Sequence, residues 1–310
     1  MSRRFFRKEK PFVTASEAFH LLESGRPILF VDCRHQLADP TAGQQMYTQS
    51  HLPGALFAHI DDDLSGEVTG KNGRHPLPPI ESFKKWLVDN GVDKDLTVVA
   101  YDNVGGGFAA RLWWMLGTLG YKHPHILEGG FEAWVNEGLP TETEPTLREP
   151  LTYIPELPPT WEDGLFPTAN MEEVDQQDDQ PMNDLVDSRN PERFRGEESG
   201  PDPVAGRIPG AFNRWWQANL DQNFRLRSRE ELRGEFDLLM TDKKAGNIIF
   251  YCGSGVTACF NIAVVQELGF GLAKLYPGSW SEWVANKPGK VEMDDELHSP
   301  PKVTHESAEE

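Results

Sequence analysis

Residues 248–257 read Ile-Ile-Phe-Tyr-Cys-Gly-Ser-Gly-Val-Thr, and the rest of the chain is arranged around this stretch. Apolar and aromatic residues of a buried strand run into Cys252. A loop with two glycines follows, and Ala258 to Leu268 then keeps its apolar residues at helical spacing. A cysteine thus stands between a strand end and a helix start. There the unpaired N–H groups and the positive end of the helix dipole favour an anion, so the thiol ionises readily and a transferred anionic group can be cradled. Gly253 and Gly255 let the backbone curl round the sulfur, and the N–H groups from Gly253 through Val256 and Thr257 to Ala258 are candidate donors to it. A buried structural cysteine is the plainer alternative, disfavoured by this exposed elbow.

Length and composition set bounds. A chain of 310 residues exceeds one average domain, so two are expected. A net charge of −19 argues against nucleic acid, because Lys and Arg cluster only in the run Ser2-Arg-Arg-Phe-Phe-Arg-Lys8. That run lacks the apolar segment of a secretory signal, and no stretch has the length of a membrane span. Three cysteines in a long chain suit a reducing compartment, and the expected location is cytoplasmic.

Strand and helix signals alternate along the chain. Thr14-Ala-Ser-Glu17 has capping-box spacing before an apolar run at Ala18 to Leu22. Strands are expected at Ile28–Val31, Leu96–Tyr101 and His125–Leu127, with a helix at Leu112–Leu119. Asp32, at a strand end, is read as fixing a turn. The same order then returns: Asp32 is answered by Asp187 at an offset of 155 positions, Tyr101 by Tyr251 at 150 and Trp134 by Trp283 at 149. The expectation is an α/β protein of two tandem copies, each a parallel sheet flanked by helices. Residues 1–140 form the first, 141–165 a Pro-rich linker crossing its surface, 166–290 the second and 291–310 an acidic tail. In this alignment Asp102 stands where the second copy has Cys252. The first copy is therefore expected to perform no chemistry and to serve as a cleft wall, with Asp102 dispensable for turnover.

These residues resemble the two-domain rhodanese family, the thiosulfate and 3-mercaptopyruvate sulfurtransferases. The resemblance rests on Cys252-Gly-Ser-Gly-Val-Thr-Ala258, Asp187-Ser-Arg189 with Arg193-Phe-Arg-Gly196, Arg207-Ile-Pro-Gly210 and Leu275-Tyr-Pro-Gly-Ser-Trp-Ser-Glu-Trp283. Gly73-Arg-His-Pro-Leu-Pro78 and Arg111-Leu-Trp-Trp114 extend it into the first copy, so that it covers Phe12 to Val291. It implies tandem rhodanese-like domains and a Cys252 persulfide that passes a sulfane sulfur from a small-molecule donor to cyanide, a thiol or thioredoxin. It also implies Arg193 as a substrate arginine, and His75 with Ser254 and Asp62 or Asp63 as a proton relay. Neither metal nor organic cofactor is expected.

Two positions depart from the family pattern. The mercaptopyruvate enzymes' second substrate arginine is Asp202 here, read as a carboxylate at a solvent-screened pocket rim, and the His of the His-Ile-Pro-Gly turn is Arg207. The residues after Cys252 lack the positive charge usual for thiosulfate, leaving Arg193, with Arg189, Arg195 or Arg207, to hold an anion. The neutral loop with Ser254 favours 3-mercaptopyruvate, and thiosulfate is the other donor. Ala258 stands where a cysteine phosphatase or arsenate reductase needs a phosphate-binding arginine, which disfavours that chemistry. A non-catalytic carrier or scaffold is the alternative of another class. Cys259 is read as core, and Cys33 has no assigned role.

Overall fold

The computed structural model describes residues 10–176, 184–240 and 244–294; the basic run at its start and most of the acidic end lie outside them. In the first half, five strands form one parallel sheet. They are β1 (Phe12–Val13), β2 (Ile28–Asp32), β3 (Leu56–Phe57), β4 (Thr97–Tyr101) and β5 (His123–Leu127), in the order β1-β5-β4-β2-β3. In the second half, β6 (Asp184–Asp187), β7 (Phe212–Asn213), β8 (Ile248–Tyr251) and β9 (Lys274–Leu275) form a parallel sheet in the order β7-β6-β8-β9. A single parallel bridge from Thr168 to Leu275 lies where β1 lies in the first sheet. The central strands β2, β4, β6 and β8 are buried along almost their whole length, as strands covered on both faces must be.

Helices α1 (Ala15–Glu23), α2 (Ala42–Gln49), α3 (Ile80–Asp89), α4 (Ala109–Thr118) and α5 (Gly130–Asn136) flank the first sheet. Helices α6 (Met171–Asp175), α7 (Pro191–Arg195), α8 (Arg229–Leu239), α9 (Ala258–Glu267) and α10 (Ser279–Asn286) flank the second. Thr14 and Glu17 make the expected capping box on α1. Every residue of α4 is buried, and so is all of α9 up to Gln266; a helix that is apolar all round must be covered all round. Each supplies part of the other's cover, and one apolar cluster runs through both halves. Phe260 of α9 meets Phe12 and Trp216 edge to face, each at 5.3 Å between ring centroids.

Between the halves, residues 141–161 carry no helix or strand beyond a bridge from Glu142 to His51. Trp161 is anchored on the first half, its indole N–H donating to Pro78 O at 2.8 Å. No described helix is long and apolar enough to cross a membrane.

The repeat extends to atomic detail. Arg34 grips Asp32 through Nε and Nη2, Tyr101 donates its hydroxyl to the same carboxylate, and Leu52 N–H donates to Tyr101. Arg189 grips Asp187 in the same way, and Ile208 N–H donates to Tyr251. Asp32 is thus a buried turn anchor.

Asp102 is more than a wall residue. Its carboxylate accepts the N–H groups of Val104, Gly106, Phe108 and Ala109 at 2.7–3.0 Å, so the first loop is an anion cradle already filled by the protein's own side chain. Asp102→Ala removes the acceptor for four N–H donors, three of them buried. It is expected to destabilise the protein by about 3–5 kcal/mol in urea unfolding, with Asp102→Asn intermediate. A loss under about 1 kcal/mol would show that the loop can refill its own cradle.

Candidate active site

The loop after β8 wraps the Cys252 sulfur. Burial pushes the thiol up, but hydrogen bonds from the Thr257 hydroxyl and from the N–H groups of Ser254, Ala258 and Gly255 outweigh that cost, and its pKa falls below the ordinary cysteine value. The other thiols move the opposite way. Burial takes Cys259 up to about 12, and burial with nearby carboxylates takes Cys33 well above its ordinary value. Of the three free cysteines, only Cys252 is poised as a thiolate.

Packing from α10 holds the loop in shape. Gly255 has φ +77°, and a Cβ there would fall 2.1 Å from Pro277 O, so only glycine fits. Ser279 takes φ +54°, a left-handed value uncommon for a residue with a side chain. From there its Oγ accepts the Cys252 N–H at 3.1 Å, while Trp280 N–H and Ser281 N–H donate to Cys252 O and Gly253 O.

Across the cleft, His75 Nδ1 lies 2.6 Å from Ser254 Oγ, and His75 Nε2 lies 3.0 Å from Asp61 Oδ1. The acid beside His75 is therefore Asp61, and the expectation of Asp62 or Asp63 is corrected. Residues 60–63 turn tightly, which points three consecutive carboxylates in three directions. Asp63 folds back onto His59 N–H at 2.7 Å, and the Asp62 side chain is 84 % exposed. The hydrogen bond from His75 holds Asp61 below the usual carboxylate range.

Arg111 of α4 ties this wall to the loop. Fully buried, it donates to Gly255 O, His75 O and Leu64 O at 3.1–3.4 Å.

The arginines beside the cysteine loop are Arg193, as expected, and Arg74, which was not. Nη2 of Arg74 and Nη2 of Arg193 lie over Gly253, 2.9 and 3.1 Å from where its Cβ would be. Asp202 joins them, ion-paired with Arg74 and accepting from Arg193 at 2.6 Å. Its side chain is fully buried, so the reading of Asp202 as a screened rim charge is also corrected. Burial, with Arg189 and Arg74 close by, lowers Arg193 to about 10, which leaves it protonated near neutral pH. Arg195 pairs with Glu197, and Arg207 with Glu292 and Asp294, so neither serves the site. Arg189 is committed to Asp187 and stacks on Trp280.

A reactive thiol in an N–H cradle, two cations above it and a Ser-His-Asp chain beside it suit transfer of an anionic group. The rhodanese-like domain matches residues 14–137 and again 170–286. The chain belongs to the rhodanese family. It is 40 % identical over 271 residues to the "Probable 3-mercaptopyruvate sulfurtransferase" of Pseudomonas aeruginosa, covering 86 % of this chain and 93 % of that one. The thiosulfate sulfurtransferase of Cricetulus griseus is 33 % identical over 80 % of this chain and 82 % of its own. Among solved structures, the 3-mercaptopyruvate sulfurtransferase from Leishmania major superposes with a TM-score of 0.80 at 34 % identity, over 91 % of this chain and 76 % of that one. This rhodanese is a sulfurtransferase.

The cysteine loop, Ser254, His75 and Arg193 meet as the sequence suggested. Gly253 and Val256 lie in the same loop, whose largest contributions to the low thiol pKa come from Thr257, Ser254, Ala258 and Gly255. Asp61, Arg74 and Arg111 gave weaker signals: a run of three acids, an arginine beside a quoted histidine, and a lone charge in an apolar helix.

Two outcomes test the geometry. Iodoacetamide near neutral pH is expected to label Cys252 before Cys33 or Cys259. The rate should rise with pH with its midpoint below the free-cysteine value of about 8.5, because alkylation follows the thiolate; earlier labelling of either other cysteine contradicts the pKa order. Gly255→Ala is expected to abolish sulfur transfer while the circular dichroism spectrum stays folded, and activity within about tenfold of the parent would show that the loop tolerates a Cβ.

Proposed function

We propose that this rhodanese takes its sulfur from 3-mercaptopyruvate in preference to thiosulfate, and carries it as a persulfide on Cys252. The observation that supports this most is the chain from Ser254 Oγ through His75 to Asp61, which ends beside the sulfur. In the first step the Cys252 thiolate attacks the donor sulfur and the carbon–sulfur bond breaks. The electron pair leaves on the enolate of pyruvate, and the donor's thiol proton is returned to it through Ser254 and His75. Thiosulfate releases sulfite and needs no such proton. The N–H groups of Ser254, Gly255 and Ala258 and the Thr257 hydroxyl then hold the persulfide anion. In the second step a thiophilic acceptor attacks the outer sulfur and regenerates the thiolate.

Charge supports the same donor. Asp202 takes up much of the field of Arg74 and Arg193, leaving less positive charge for a compact dianion than for a monocarboxylate. A small thiol or thioredoxin is the proposed physiological acceptor, with cyanide as a substitute, and the cytoplasm, where thiols stay reduced, is the proposed location.

Donor treatment should add the mass of one sulfur to the protein, mapped to Cys252, and none to Cys252→Ser; sulfur on Cys33 or Cys259 refutes the assignment. His75→Asn is expected to lower kcat with mercaptopyruvate by about 10²-fold or more and to leave thiosulfate turnover within about threefold. A higher kcat/KM for thiosulfate in the unmodified enzyme overturns the donor preference. Asp202→Asn frees both guanidinium groups, so KM for thiosulfate should fall about tenfold, the scale of one charge-assisted hydrogen bond.

A further inference from the structure

Beside the proposed relay, on the side away from Ser254, lie two imidazoles that the chemistry above does not use. His35, His59 and Asp61 each present a donor atom, and the three atoms lie within 4.8 Å of one another. Nε2 of His59 faces Pro40 O at 2.9 Å; a carbonyl only accepts, so this nitrogen carries the hydrogen and Nδ1 holds the lone pair. That Nδ1 accepts the Asp61 N–H at 3.1 Å, a bond an incoming ion must displace, and lies 3.9 Å from Asp61 Oδ2 and 3.7 Å from Asp62 Oδ2. The His35 ring is 4 % exposed and held only by edge contacts to Phe108 and His59; among the described residues, its nitrogens have no hydrogen-bond partner. Asp61 divides its oxygens, Oδ1 to His75 and Oδ2 toward His59.

We propose that His35, His59 and Asp61 form an inhibitory site for a divalent transition-metal ion of the zinc class, and that the bound ion takes Asp61 away from His75. Two imidazole nitrogens and one carboxylate oxygen, with a fourth position open to water, are a ligand set that suits Zn²⁺. The bond from His59 to Pro40 O is the outer contact that orients a ligating histidine. Zinc–nitrogen and zinc–oxygen bonds of about 2.0–2.2 Å require donors roughly 3.3 Å apart, so the three must close, by up to about 1.5 Å. Asp61 is the most exposed of them, with 40 % of its side chain in solvent, and is the one free to swing. Its movement toward the imidazoles stretches the 3.0 Å contact with His75, and the chain to Ser254 loses its anchor. The inhibition rests on the relay proposed above; the binding does not.

The probe is zinc chloride, and the catalytic thiolate must be removed because it too binds zinc. Calorimetric titration of the full-length Cys252→Ser protein is expected to show one site. Adding His35→Phe, which keeps the aromatic packing, or His59→Gln should weaken it at least tenfold, with folding checked by circular dichroism. No uptake by Cys252→Ser, or undiminished affinity in both double variants, overturns the site. With Cys252 restored, zinc should inhibit mercaptopyruvate turnover at a concentration at least tenfold lower in the parent than in His35→Phe. Thiosulfate turnover should show no such difference. Zinc bound at the imidazoles without that difference leaves the site standing and refutes its link to Asp61 and His75.

Discussion

A guanidinium with no carboxylate partner among the described residues joins the two halves of this protein. Arg111 is fully buried in α4, and what balances its charge is the carbonyl oxygens of Leu64, His75 and Gly255. One of these lies in the loop that wraps Cys252 and another on the residue that contacts Ser254. Loss of the arginine would take its donors from all three carbonyls, leaving Gly255 O only the weak Cys259 thiol, and release both sides of the cleft together. This explains how a half whose own loop is closed can still govern the other. The first half supplies the post against which the reactive loop is held.

The same strand-loop-helix unit is used twice with opposite outcomes. In the first copy a carboxylate from the chain fills the N–H cradle, satisfying four donors and leaving no room for a substrate anion. In the second, a sulfur occupies that position with the N–H groups around it, and the pull of those groups makes the thiol acidic despite complete burial. The backing turn differs in parallel. Gly130, with φ +60°, packs on Asp102 O, whereas Ser279 adopts φ +54° and uses its hydroxyl to accept the Cys252 N–H. A strained residue behind the reactive loop thus replaces an unstrained glycine behind the closed one.

Charge is arranged by distance. The chain carries a net −19, yet Arg74, Arg189 and Arg193 gather around Cys252. At ordinary ionic strength the outer negative charge is screened within roughly 10 Å, so a bound anion responds mainly to the buried groups. Among these, Asp202 has the most influence, because it is itself buried and touches a guanidinium from each half. A carboxylate there ties Arg74 to Arg193 and moderates their combined field.

Local pattern carried much of this in the sequence. The apolar strand into Cys252, the glycines after it, the helical spacing beyond and the repeat offsets depend on neighbours along the chain, and from them the parallel α/β halves, the tandem order and the loop around the thiol could all be read. Chain neighbours could not say which of Asp61, Asp62 and Asp63 meets His75. Rotation about a tight turn decides that, and the partner is more than ten residues away. Nor could they show that Asp202, Arg74 and Arg193 form one cluster, since Arg74 arrives from the other half of the molecule. The burial of Asp202, which turned an expected rim charge into a clamp, arises only once the halves are packed. Side-chain direction and desolvation belong to the assembled cleft, and no stretch of the chain contains enough of that cleft to reveal them.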